Sequence, residues 1–75
     1  MFNTESLFFP ILETLSEKNI NYLIINNYFS AILSIPSSNI KIKNYYFSNY
    51  YNVYKNDIYI CQIYGLSLYK LCKYL

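Results

Sequence analysis

The sequence predicts an α+β fold in two layers, helices packed on a small sheet, in the order helix-strand-helix-strand-strand. Three observations lead there. The apolar run Ala31 to Ile35 stops at Pro36, and two serines follow with side-chain oxygens to offer, so a strand hands over to a serine-capped helix. Ile20, Leu23, Ile24 and Asn27 fall at helical spacing ahead of that junction. Behind it, residues 57–64 alternate Ile58 and Ile60 with Tyr59 and Cys61, the period of a strand.

The elements follow in chain order. Residues 1–18 read as an N-terminal arm and a short helix over 10–18. Pro10 suits the first helical turn, and Ile11, Leu12 and Leu15 share a side away from Glu13 and Glu17. Residues 19–75 read as a single α+β domain. Its first helix covers 19–30, weakened by β-branched residues and asparagines, with Asn26-Asn27 the place where it frays. A strand covers 31–36. A second helix covers 38–51, with Ser38 as N-cap and Ile40, Phe47 and Tyr51 on one stripe, although its start alternates Ile with Lys. Gly65 then turns a hairpin between strands 58–64 and 66–74, and a chain ending in strand character suggests a truncated sheet or an edge that a partner covers.

Composition bounds the function. A chain of 75 residues buries only about 60% of its unfolded surface, so an assembly partner is expected. Arg is absent, and Ala, Val and Gly occur once each, while Asn, Ile, Lys, Tyr and Phe abound. These are the residues of A/T-rich codons, common in organelles. Residues 1–30 set Lys18 against Glu5, Glu13 and Glu17. Residues 31–75 set Lys41, Lys43, Lys55, Lys70 and Lys73 against Asp57. A basic C-terminal part suits a polyanionic partner, although charge alone favours a solvated face with scattered lysines. Neither a secretory signal nor an Arg-rich presequence is visible at the N-terminus.

Enzymatic chemistry finds no support. There is no histidine to act as base, no paired spacing of carboxylates and no glycine-rich loop for phosphates. Cys61 and Cys72 read as small hydrophobes, without the CxxC spacing of a redox or metal pair. No cofactor, metal or small-molecule substrate is expected. The best candidate site is Ser37, Ser38, Asn39, Lys41 and Lys43. Free backbone amides at a helix start attract phosphate, hydroxyl and amide groups donate to phosphate or ribose oxygens, and the lysines add charge without reading sequence. An ordinary helix cap followed by solvated lysines has the same pattern. Among the eleven tyrosines, Tyr45, Tyr46, Tyr50 and Tyr54 are expected to cover surfaces shared with proteins or RNA.

Ile35-Pro36-Ser37-Ser38-Asn39-Ile40-Lys41 resembles the Ile-Pro-x-Ser-Lys-Leu-Lys signature of the bacterial-type family of small-subunit ribosomal protein eight. Asn52-Val53-Tyr54-Lys55 falls where that family's amino-terminal domain has a Gly-Tyr-Ile turn, and Cys72-Lys73-Tyr74 lies near its closing Leu-Lys-Tyr. Asn39 and Asn52 depart from the usual Lys and Gly, and the family's carboxy-terminal domain is not represented. The resemblance implies a structural constituent of an organellar small ribosomal subunit, in the mitochondrial matrix. It would contact ribosomal RNA through residues 37–43 and neighbouring ribosomal proteins elsewhere, with a separately encoded second half as a further partner. Residues 51–58 also weakly resemble small-subunit protein four. The uncharged stretch 20–36 gives the alternative, a small accessory subunit of a mitochondrial membrane complex such as a respiratory enzyme.

Overall fold

The computed structural model describes residues 4–75. Five antiparallel strands form one sheet in simple meander order: β1 (Leu23–Asn26), β2 (Ser30–Ile35), β3 (Ile40–Tyr45), β4 (Tyr50–Lys55) and β5 (Ile58–Tyr64). A 3₁₀ helix (Thr4–Phe8) and a short α-helix, α1 (Ile11–Glu17), precede the sheet, and a longer 3₁₀ helix (Gly65–Tyr74) follows it. The predicted helix-strand-helix-strand-strand layout is therefore wrong; the molecule is a strand-dominated meander.

Each correction has a local cause. The helix expected over 19–30 never starts, because α1 is closed off just before it. Asn19 adopts the left-handed conformation at φ 56°. Its N–H donates to Ser16 O (3.2 Å), and Ile20 N–H donates to Leu15 O (2.9 Å), the paired bonds of a Schellman cap. The β-branched residues beyond it pair as β1, with Ile24 opposite Leu33. Of the arm expected ahead of Pro10, residues 1–3 lie outside the described residues and the rest is the first 3₁₀ helix.

The helix expected over 38–51 is instead β3, a loop and β4. Pairing on both sides holds the segment as a strand: Ile42 stands opposite Leu33 and Val53, with Ile42 and Asn44 buried while Lys41, Lys43 and Tyr45 point to the other face. Ser38 caps no helix. Pro36–Ser38 is one 3₁₀ turn joining β2 to β3, closed by Asn39 in the left-handed region, whose N–H donates to Pro36 O (3.2 Å). The strand expected over 66–74 is helical because Leu68, Leu71, Cys72 and Leu75 repeat at helical spacing and pack on the core.

The core lies between the sheet and the helical segments. Pairing register sets Ile24, Leu33, Ile42, Val53 and Cys61 in one row across all five strands. Phe8, Ile11, Leu12, Leu15 and Leu68 close over that face. Tyr51 links the layers: its ring meets Phe8 edge-on at 5.9 Å, and its hydroxyl donates to Leu7 O. Gly65 sits where the chain leaves the sheet, its N–H 2.7 Å from Asn49 O. A Cβ there would lie 3.2 Å from the Tyr51 ring, so this position suits the one glycine of the chain. The uncharged stretch 20–36 is spent on β1, β2 and their connections. Among the described residues no helix is long and apolar enough to cross a membrane.

Candidate nucleic-acid interface

Among the described residues, no helical layer covers the opposite face of the sheet. Strand geometry puts every second side chain there. One cross-strand row is Leu23, Ser34, Lys41, Tyr54 and Tyr59; the next is Ile25, Ile32, Lys43, Asn52 and Gln62. Tyr45 and the pair Tyr50–Tyr64 continue it toward the other end of the strands. Lys41 and Lys43 thus stand side by side on the central strand, with aromatic and amide groups on the β4–β5 side.

The rings are arranged in pairs. Tyr54 meets Tyr59 near edge-on with centroids 5.8 Å apart, and Tyr50 meets Tyr64 at 5.4 Å. Lys43 Nζ lies 4.8 Å from the centroid of the Tyr45 ring. Between the two tyrosine pairs, Gln62 Nε2 donates to Asn52 Oδ1 (3.3 Å). Lys41 Nζ reaches Asp57 Oδ1 at 3.2 Å, but both side chains are largely solvated, so the pair contributes at most about 1 kcal/mol and is readily exchanged. A shallow open depression of about 260 Å³ is lined by Ile32, Lys41, Lys43, Tyr54 and Asp57.

Of the five residues singled out in the sequence, Lys41 and Lys43 lie on this face. Asn39 borders a smaller hollow next to it, shared with Lys41 and Asp57. Ser37 and Ser38 belong to the β2–β3 turn at the edge of the face. The phosphate-binding helix start expected there does not exist. Ser38 Oγ is 3.5 Å from Ile35 O, and the Asn39 backbone N–H is used within the turn. Tyr45 and Tyr50 are exposed on the open face, and Tyr54 is half-buried there. Tyr46 turns aside, its hydroxyl donating to Asn27 O (2.8 Å). The sequence reading missed Asn52, Tyr59, Gln62 and Tyr64. Their signal was the same two-residue period that it recognised in 57–64, continued back through β4.

The three glutamates Glu5, Glu13 and Glu17 sit on the helical segments, away from this face. Among the described residues, no three potential metal ligands come together. No family model, no curated protein and no solved structure matches the chain.

Proposed function

We propose that the uncovered sheet face is a non-catalytic binding surface for single-stranded RNA, and that the protein acts as a small RNA-binding constituent of a ribonucleoprotein particle. The observation that carries this reading is the pairing of Lys41 and Lys43 with flanking tyrosines on one open face, with the glutamates held on the other side of the molecule. Ammonium groups follow the phosphate backbone, while tyrosine rings offer stacking surfaces to bases of any sequence. The amides of Asn52 and Gln62 can meet base edges between the rings. A ribosomal small subunit is one such particle. The helix that the resemblance to protein eight requires after its signature is β3 here, so the proposal rests on the surface and not on that resemblance.

Fluorescence anisotropy with a labelled single-stranded RNA tests it. The wild type should bind saturably at low salt, with a log–log salt slope of about −1.4 for two phosphate contacts. Replacing both lysines (Lys41→Gln with Lys43→Gln) should flatten that slope toward zero. Tyr54→Ala should weaken binding about tenfold or more by removing a stacking surface. Absence of saturable binding, or binding indifferent to both lysines, would refute the proposal.

A further inference from the structure

Meander topology divides the molecule along its strand axis. The β2–β3 and β4–β5 turns lie at one end, and the β1–β2 and β3–β4 loops lie at the other. Lys41, Lys55 and Asp57 cluster at the first end, whereas the two loops at the second end lie in the uncharged runs 19–40 and 44–54. These loops instead present bare rings. Phe47 is 99% exposed, Tyr28 88% and Phe29 68%.

The rings are held in place by their loops. Tyr28 and Phe29 meet edge-on at 4.6 Å. Tyr46 N–H donates to Phe29 O (3.1 Å), and Tyr46 Oη donates to Asn27 O (2.8 Å), which ties the two loops into one tip. Asn44 Nδ2 fixes the second loop from below through Ser48 O (3.1 Å) and Tyr50 O (3.2 Å). Phe29 and Phe47 therefore stand in water on a braced, uncharged projection. Rings of this kind partition into the headgroup–acyl boundary of a bilayer, where aromatic side chains concentrate.

We infer that the paired loop tips at Tyr28-Phe29 and Phe47 dock the protein on a zwitterionic lipid surface. The occupant follows from charge and shape. The loops carry no lysine to favour anionic lipid. Projecting rings need a surface that yields around them, which a bilayer interface does without a preformed groove. The lipid contact involves the loop tips and leaves Lys41 and Lys43 solvated.

The test uses the full chain with phosphatidylcholine vesicles and a Phe47→Trp variant. The chain contains no tryptophan, so the new indole reports alone. Vesicles should shift its emission to the blue, and brominated phosphatidylcholine should quench it. Phe29→Ser combined with Phe47→Ser should lower the vesicle partition coefficient about tenfold or more, with an unchanged circular dichroism spectrum. The Lys41→Gln and Lys43→Gln pair should partition like the wild type. An indole that keeps its water-exposed emission in excess lipid overturns the inference. So does a double serine variant that binds vesicles as well as the wild type.

Discussion

At the level of single residues, Asn44 and Tyr51 are the two polar groups on which the sheet's inner face depends. Asn44 is 1% exposed among apolar neighbours, and both of its strong hydrogen bonds are donated by Nδ2, to Ser48 O and Tyr50 O. Its Oδ1 finds no partner among the described residues. Asn44→Asp removes the donors and aims a carboxylate at two carbonyl oxygens. We expect it to destabilise the protein by about 3 kcal/mol at neutral pH. Burial would raise the new carboxyl's pKa, so the loss should shrink as pH falls toward 4, where the protonated acid can donate again. Urea unfolding at both pH values measures this. Tyr51 is held neutral: burial raises its phenol pKa above the ordinary value of 10.0. The folded state then binds that proton more tightly than the unfolded chain. Its contribution is complete below about pH 10 and is lost as pH climbs through the folded-state pKa. Tyr51→Phe should forfeit about 1 kcal/mol at pH 7 with the bond to Leu7 O, yet flatten the alkaline decline in melting temperature.

At the level of elements, the turns decided the fold, and this is where sequence and structure part. Residues over 10–18, 31–36 and 58–64 were legible as α1, β2 and β5: Pro10 and one apolar side mark the first, an apolar run ended by Pro36 the second, and a two-residue period the third. Residues 38–51 were not. Ile40-Lys41-Ile42-Lys43 alternates, but Ser38 also offers a helix cap, and helical spacing can be found among so many aromatics. What settles the matter is non-local: Ile42 pairs with both Leu33 and Val53, which no window of sequence displays. The site was half legible for the same reason. Lysines 41 and 43 are visible as charges, whereas Asn52, Tyr59 and Gln62 join them only through β3–β4–β5 register. Asn56 and Asp57 form the two-residue turn between β4 and β5, both at positive φ (52° and 63°). Asp57→Gly should remove left-handed strain of about 1 kcal/mol, while the exposed pair with Lys41 that it deletes contributes less. The net expectation is a higher melting temperature. Freed of its carboxylate partner, Lys41 should also bind RNA more tightly, which anisotropy would register as a lower Kd.

At the level of the whole molecule, one sheet separates what holds the protein together from what it is proposed to do. Lys41, Ile42 and Lys43 are consecutive, yet Ile42 is buried in the core cluster while its neighbours stand on the open face. Stability and binding should therefore be separable one residue apart. Ile42→Val trims a methyl group from the central row and should lower stability by about 1 kcal/mol, a noticeable share of the roughly 4–11 kcal/mol expected for a domain of this size. The fraction that remains folded should bind RNA with wild-type affinity, since no outward-facing atom has moved. The Lys41→Gln and Lys43→Gln pair should do the reverse. Its unfolding free energy should stay within about 0.5 kcal/mol of wild type, because neither lysine is buried, while RNA affinity collapses. Denaturant titration and anisotropy on the same two preparations decide the matter. If Ile42→Val weakens binding in proportion to its instability while the lysine pair leaves it intact, RNA meets the inner face or a partly unfolded chain. The open face would then be only the solvated side of a small sheet.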